Sequence, residues 1–161
     1  MTRDAEPNIR PLLWASAVLS SLGIVVSGYL ASKRLLGGSL ACTRWAQCDE
    51  VNNSIYAKSH GIPVSFIGLA GYLLLLVLAV AALRSDGHVR RRILLLCLLC
   101  SLGGVGFSTY LTYIEVYVIE ALCSWCVASA IIISLLAIIG GISLWRGTSL
   151  HASSPPEIHP Q

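Results

Sequence analysis

Charged residues are scarce in this chain of 161 residues, of which 11 are Lys or Arg and 8 are Asp or Glu, 12% in all. Soluble domains carry about 25% charged residues, whereas here 55% of the residues are apolar and the mean hydropathy is +0.74. This composition excludes a soluble catalytic domain. The net charge of +3 does not indicate nucleic-acid binding, because the basic residues cluster at the ends of apolar runs.

The sequence also lacks a haem, flavin or nucleotide motif, and no apolar run has a charged residue near its middle. Coupled transporters usually need such intramembrane charges, so transport is not expected. Four apolar runs are long enough to cross a bilayer, which takes about 20 helical residues. Because lipid offers the backbone no hydrogen-bond partners, these runs should be helices. We predict an all-α, polytopic membrane protein whose four-helix bundle spans about residues 11–31, 62–83, 93–114 and 122–145.

Basic residues indicate how these helices are oriented. Seven Arg residues lie in the two terminal segments and the second connection, against four Lys or Arg in the first and third connections. Cytoplasmic segments carry the excess of positive charge, so both termini are expected in the cytoplasm and the protein in the inner (plasma) membrane. Lys33 and Arg34 oppose this orientation, and the cluster Arg90-Arg91-Arg92 decides it.

The first apolar run is expected to be retained, because its apolar core exceeds the about 7–15 residues of a signal peptide. Residues 1–150 are predicted to form one membrane domain, and residues 151–161 a disordered cytoplasmic tail without apolar periodicity. The main outward loop runs from Ser32 to Gly61, and its residues 49–59 fit a short amphipathic helix. The second outward connection, residues 115–121, is short.

Four of the six cysteines form two pairs at the outward end of the predicted bundle. Cys42 and Cys48 lie in the first outward loop, and Cys123 and Cys126 form a Cys-Ser-Trp-Cys motif where the last apolar run begins. Cys-X-X-Cys is the spacing typical of thiol–disulfide exchange, and disulfides persist outside the cytoplasm. A second pair that faces the motif indicates an electron relay.

The two cysteines of this motif are expected to have different surroundings. Cys123 lies near the helix N-terminus, where free N–H groups and the positive dipole end favour a thiolate, and it should face the aqueous loop. Cys126, about one turn deeper, should point toward lipid. This layout suits the transfer of two electrons from a soluble dithiol to a lipid-soluble acceptor, which we expect to be a membrane quinone.

Two other interpretations of the cysteines were weighed against the relay. A Cys42–Cys48 disulfide that only stabilises its loop is common outside the cytoplasm, and it would fit a non-enzymatic membrane scaffold or assembly factor. Four thiols are also able to bind zinc, but the unequal spacing, the partial membrane burial and a single nearby histidine argue against a metal. Neither alternative explains a CXXC at a helix start on the same side as the loop pair.

A further CXXC, Cys97-Leu-Leu-Cys100, lies inside the third apolar run near its cytoplasmic end. An apolar setting suppresses thiolate formation, and the nearby compartment is reducing. These two cysteines are therefore predicted to be small packing residues.

The order of these elements resembles the bacterial branch of the vitamin K epoxide reductase family. The resemblance covers nearly the whole chain and rests on Cys42/Cys48, Ser54, Gly61-Ile-Pro63…Gly68…Tyr72 and Cys123-Ser-Trp-Cys126. The other four-helix family that generates disulfides, the DsbB type, has its CXXC in the first outward loop and its second pair in the later one. The order here is the reverse.

The resemblance implies a four-helix bundle around a quinone pocket at its outward end, and an oxidoreductase that drives disulfide formation in exported proteins. It implies that Cys126 lies next to the quinone, ubiquinone or menaquinone, and forms the active-site disulfide with Cys123. Cys48 would attack Cys123, and Cys42 would exchange with an external thioredoxin-like (DsbA-like) protein. Ser54 matches a family serine near the active site.

Three details qualify what the resemblance implies. Many bacterial members carry a fused thioredoxin-like domain, which these residues do not include, so the partner is expected to be a separate protein. Vertebrate members hydrogen-bond vitamin K through an Asn and a Tyr, and those positions are Val64 and Ala130 here, so these contacts do not carry over. Phe107, Tyr110 and Tyr113 are candidates to line the quinone pocket, although aromatic residues near an interface are more often membrane anchors.

Overall fold

A computed structural model of the protein describes residues 9–37, 39–42, 46, 48–53, 58–59 and 62–148. The elements in chain order are α1 (Arg10–Leu36), α2 (Cys48–Asn53), β1 (Lys58–Ser59), β2 (Ile62–Pro63), α3 (Val64–Arg84), α4 (Gly87–Ile114), a π-helical turn (Glu115–Ile119) and α5 (Ser124–Thr148). Four helical segments are long and apolar enough to cross a membrane, namely Arg10–Leu36, Val64–Arg84, Gly87–Ile119 and Ser124–Arg146. The predicted all-α architecture with four membrane helices is confirmed.

The four long helices pack so that each has two main neighbours. Helix α1 packs against α3 and α5, and α4 packs against the same two helices. Large apolar side chains cover the outside of the bundle, where Trp14, Val25, Val77 and Leu99 are each more than 60% exposed. Water would penalise so much exposed apolar surface and lipid would not, so the outer face of the bundle suits a bilayer.

The first outward loop begins where α1 ends and folds back over the bundle. Gly37 adopts the left-handed conformation at φ 65°, and its N–H donates to the carbonyl of Lys33. The backbone N–H of Leu40 then donates to the Asp49 carboxylate over 2.8 Å, which ties the start of the loop to α2. Strands β1 and β2 pair antiparallel, with Lys58 opposite Pro63 and Ser59 opposite Ile62.

Helix α2 covers Cys48–Asn53, and Lys58–Ser59 form β1, so the amphipathic helix predicted over residues 49–59 does not extend to its predicted end. Its Val51 is buried, while Ser54, Ile55 and Tyr56 lie outside the described residues. The predicted tail, residues 151–161, also lies outside them.

The connection between α4 and α5 differs from the one predicted over residues 115–121. The helix continues past Ile114 as the π-helical turn Glu115–Ile119, and the chain reverses at Glu120, which has a left-handed φ of 56°. The Glu115 carbonyl accepts the backbone N–H groups of Glu120 and of Ala121, the latter at 3.1 Å. Because this reversal is so tight, it returns the chain onto Glu115 just before α5 begins.

Candidate redox site

The two outward cysteine pairs meet in one buried cluster. A disulfide joins Cys42 and Cys48, whose Cα atoms are 6.2 Å apart, whereas Cys123 and Cys126 are free thiols. Cys48 and Cys123 are 1% and 0% exposed. They belong to the same cluster, whose other buried members are Leu30, Leu40, Val51 and Ala121. The fold therefore brings together two pairs that are more than 70 residues apart in the sequence.

The two middle residues of the Cys-Ser-Trp-Cys motif hold the loop pair in place. The Ser124 hydroxyl lies 3.5 Å from the sulfur of Cys48. The Trp125 indole N–H donates to the carbonyl of Ala41, next to Cys42, over 2.8 Å. The Tyr29 hydroxyl accepts the Ala41 N–H at 3.1 Å, and the rings of Tyr29 and Trp125 lie 5.0 Å apart. The sequence signal for this contact was the tryptophan between the two cysteines of the CXXC motif. That tryptophan was assigned no role from the sequence.

Cys123 is not open to the aqueous phase, which corrects the expectation drawn from its position at the helix start. The loop cluster covers its side chain completely. A hydrogen bond from the Cys126 thiol lowers the pKa of the Cys123 thiol below its ordinary value, and backbone N–H groups of Cys126 and Trp125 act in the same direction. Burial and the nearby Glu115 carboxylate oppose this shift without cancelling it. The helix N-terminus thus contributes as anticipated, but the neighbouring thiol contributes more.

Glu115 lies directly against both cysteines of the motif. Its side chain is 4% exposed, and its Oε2 accepts the backbone N–H of Cys123 at 3.2 Å. Glu115 and Cys126 also line the same cavity, and the two groups influence each other's ionisation. Sequence reasoning assigned Glu115 to a loop and gave it no role. The available signal was a single acidic residue that ends an apolar run eight positions before Cys123.

A cavity of about 410 Å³ opens beside the motif, within the range of about 300–1,000 Å³ typical of small-molecule sites. Cys123, Cys126 and Glu115 line one side of it. Four glycines on α3 and α4 also line it, namely Gly68, Gly71, Gly103 and Gly104. An added Cβ would meet no atom within 4 Å at Gly71 or Gly103, whereas at Gly104 it would meet the Ile133 side chain.

A buried tyrosine supplies most of the ordered polar contacts at the cavity wall. The Tyr72 side chain is 4% exposed, and its hydroxyl lies 2.9 Å from both the carbonyl and the hydroxyl oxygen of Ser129. Val64 lines the cavity as well, whereas Ala130 does not. The wall is thus largely apolar. Its polar features are the cysteine sulfurs, Glu115, the Tyr72–Ser129 pair and three further hydroxyl residues, Ser65, Ser108 and Thr112.

The residues predicted to contact a cofactor do not all lie at this cavity. Cys126 and Phe107 line it, but Tyr110 and Tyr113 do not and are 59% and 58% exposed. The Tyr113 ring packs instead on Tyr117, with ring centroids 4.9 Å apart. Ser54 lies outside the described residues. The catalytic and cofactor-binding roles of these residues therefore stay predictions.

A comparison of the chain with models of protein families shows which family its sequence matches. The model of the vitamin K epoxide reductase family matches residues 14–140, a range that contains both outward cysteine pairs and every residue lining the cavity. Proteins of this family are membrane oxidoreductases that act through cysteines and use quinones. The protein is accordingly a multi-pass membrane oxidoreductase. Because the match covers most of the chain, the chain belongs to the vitamin K epoxide reductase family.

Proposed function

We propose that this protein reoxidises a separate thioredoxin-like (DsbA-like) protein outside the cytoplasm and passes the electrons to a membrane quinone. The net result is the formation of disulfide bonds in exported proteins. The observation that carries this proposal is the meeting of the Cys42–Cys48 disulfide, the Cys123/Cys126 dithiol and an apolar cavity at one end of the bundle.

The first half of the reaction is an exchange between disulfides. A dithiol of the partner reduces the Cys42–Cys48 disulfide and leaves the partner oxidised. The Cys48 thiolate then attacks Cys123 in a Cys123–Cys126 disulfide, which releases Cys126 as a thiolate. Cys42 next attacks Cys48 in the mixed disulfide, which restores Cys42–Cys48 and frees Cys123. Each step forms one S–S bond and breaks one, so two electrons move inward.

The arrangement of the four sulfurs suits that exchange. Cys42 and Cys48 form a disulfide pair, and Cys123 and Cys126 line the cavity, so electrons that reach them would lie next to a bound quinone. The lowered pKa of the Cys123 thiol increases its thiolate fraction at neutral pH, which favours its release as a leaving group.

The cavity fits the head group of a quinone in size and in its largely apolar wall. Bound there, a quinone supplies a two-electron, two-proton acceptor, and ubiquinone and menaquinone are both candidates. Cys126 and Phe107 would contact the head group, with Cys126 as the sulfur nearest to it. Tyr110 and Tyr113 would lie farther from the head group. Ser54, which belongs to the loop, would lie near the sulfurs.

The distribution of charge supports a site that faces away from the cytoplasm. Arg84, at the end of α3, and Arg90 to Arg92, in the first turns of α4, flank the connection at the end of the bundle opposite the cysteines. Cytoplasmic connections carry such clusters, so the termini would be cytoplasmic and the cysteines would face the periplasm or the exterior, with the protein in the inner (plasma) membrane.

The experiment combines the purified protein in lipid nanodiscs with a reduced DsbA-like protein and a soluble ubiquinone or menaquinone analogue. We expect the quinone absorbance to fall and the partner to become oxidised in equal amounts. Cys126→Ala should abolish quinone consumption. An unchanged rate in Cys126→Ala would contradict the route. A wild-type protein that keeps both pairs oxidised under mild reductant would instead support a scaffold with structural disulfides.

The partner protein can be captured directly as a disulfide-linked complex. In Cys48→Ser, Cys42 has lost the sulfur with which it pairs, so a mixed disulfide between Cys42 and the partner should persist. Mass spectrometry of the trapped complex from native membranes should identify a thioredoxin-like protein, and Cys42→Ser should trap much less of it.

A further inference from the structure

Glu115 is an unusual residue for its location. It lies at the outward end of the segment Gly87–Ile119, which is apolar enough to cross a membrane, and its side chain is 4% exposed. An ionisable group buried at membrane depth is costly and is generally retained for a functional reason. Its Oε2 accepts the backbone N–H of Cys123, a hydrogen bond to a neutral group.

The partners of Glu115 are the groups that react. The Cys123 N–H can only donate, so Oε2 accepts that hydrogen bond at 3.2 Å, and the carboxylate also interacts electrostatically with the Cys126 thiol. Both Glu115 and Cys126 line the cavity. A carboxylate is thus held between a thiol that must lose its proton and a space where a proton acceptor would bind.

A purely structural role explains only part of this arrangement. A carboxylate that accepts the N–H of Cys123 satisfies a free donor just before α5, as residues near a helix N-terminus commonly do. The amide oxygen of a Gln would satisfy the same donor without burying an ionisable group. Satisfying the Cys123 N–H does not require an interaction with the Cys126 thiol. That interaction places the carboxylate next to the reacting sulfurs.

We propose that Glu115 is the proton carrier of the quinone-reducing step. When the Cys123/Cys126 dithiol is oxidised, one S–S bond forms, and two electrons and two protons leave the sulfurs. The quinone takes both electrons and both protons and becomes a quinol. Glu115 receives the proton of the Cys126 thiol, holds it while the electrons transfer, and delivers it to a quinone oxygen, which returns Glu115 to the carboxylate. This inference rests on the proposed function.

Several ionisable groups near Glu115 bear on its pH dependence. Helix α5 and the residue before it contribute the thiols of Cys126 and Cys123. Tyr72 of α3 shares the cavity wall, and α2, which packs on the π-helical turn, carries Asp49 and Glu50, both exposed to solvent. Of the three carboxylates named here, Glu115 is the one that interacts with the Cys126 thiol.

The test compares the wild-type protein with Glu115→Gln, in lipid nanodiscs, after both cysteine pairs are reduced. Gln keeps an oxygen that can accept the Cys123 N–H but cannot take a proton. On mixing with a soluble quinone analogue, we expect the single-turnover rate at neutral pH to fall about 100-fold, the size of a general acid–base contribution. The gap should narrow as the pH rises, because hydroxide can then take the proton of the Cys126 thiol in place of Glu115.

Glu120→Gln is the matched control, because Glu120 is exposed and touches neither thiol. It should react like the wild type. The Cys42–Cys48 disulfide should still form in Glu115→Gln, and its exchange with Cys123, followed by thiol trapping, should be no slower than in the wild type, because loss of the carboxylate removes a charge that opposes the Cys123 thiolate. Equal rates for Glu115→Gln and wild type would overturn the assignment, as would a defect that stays constant with pH. A wild-type protein that exchanges thiols but never reduces a quinone would overturn the proposed function as well.

Discussion

The chain contains two Cys-X-X-Cys motifs with the same spacing and different surroundings. Cys97 and Cys100 lie in the middle of α4, and Cys123 and Cys126 lie at the start of α5, and all four are free thiols. Cys100 packs against the cluster of Tyr72, Leu75, Ile133 and Leu136. The outward motif instead contacts a second cysteine pair and a buried carboxylate, and the indole of its own Trp125 donates a hydrogen bond to the loop.

This comparison shows that spacing alone does not make a CXXC reactive. Exchange needs a sulfur partner, and Cys48 lies beside the outward motif, whereas no cysteine outside α4 belongs to the cluster around Cys100. Proton transfer needs an acceptor, and Glu115 contacts Cys123 and Cys126. The cavity touches both motifs, through Cys100 on one wall and Cys126 on the other, so access to the cavity is not what separates them.

The largest contrast is expected when the first cysteine of each motif is replaced in turn. Cys123→Ala removes the sulfur that receives electrons from Cys48, so partner-driven quinone reduction should fall by more than about 10³-fold, as when a nucleophile is removed. Cys97→Ala should stay within about twofold of wild type, because small hydrophobic packing is its role. Quinone absorbance measures both rates, and comparable losses in the two variants would break the distinction.

The cavity offers a second contrast between two glycines of α4. An added Cβ meets no atom within 4 Å at either Gly103 or Gly106, but only Gly103 lines the cavity. Gly103→Leu should fill part of the quinone site and raise the KM for quinone about tenfold, a loss of about 1.4 kcal/mol. Gly106→Leu should leave the KM unchanged. If both variants behave alike, the quinone binds elsewhere.

The contact between Trp125 and the loop should have a smaller effect. Trp125→Phe keeps a ring near Tyr29 but loses the 2.8 Å hydrogen bond to Ala41, which is worth about 1 kcal/mol. Exchange between the loop pair and the CXXC pair should slow about fivefold, with the direct reaction of the reduced CXXC with quinone unaffected. Trp14→Phe, on the exposed outer face, serves as the control, and quenched thiol trapping measures the exchange.

The smallest expected effect concerns the acidity of Cys123. The Cys126 thiol donates the hydrogen bond that contributes most to the lowered pKa of Cys123. Cys126→Ala removes this donor, so the pKa should rise toward its ordinary value, and the thiolate fraction at neutral pH should fall. Cys126→Ser keeps a hydroxyl donor and should give the lower pKa of the two.

This difference is measurable by thiolate absorbance during a pH titration, with the other four cysteines replaced by alanine. Identical titration midpoints in Cys126→Ala and Cys126→Ser would show that the Cys126 side chain does not control the acidity of Cys123.

Some features of the molecule were predictable because they depend on local sequence. The four membrane helices follow from apolar runs, since a backbone in lipid must form its own hydrogen bonds. The π-helical turn was not predictable in this way. Nothing in the residues after Ile114 distinguishes a loop from a continued helix, and the turn is closed by backbone hydrogen bonds to the Glu115 carbonyl.

The candidate site shows the same limit at the level of single residues. Position at a helix start correctly suggested a more acidic Cys123, but the loop buries that side chain completely. Phe107, Tyr110 and Tyr113 were equivalent candidates in the sequence, and only Phe107 lines the cavity. Which face of a helix is turned inward depends on its neighbours, and the third apolar run has too little polar contrast to indicate it.

The sequence by itself determined the membrane architecture, the two outward cysteine pairs and their order along the chain, because apolar length and residue spacing are local properties. Only the tertiary structure decided which groups meet. The Cys48 sulfur contacts Ser124, 76 positions away, and the Tyr72 hydroxyl contacts Ser129, 57 positions away. Glu115 became part of the site because the reversal at Glu120 returns Cys123 to it. Such contacts arise from the packing of four helices against one another, and no single segment encodes them.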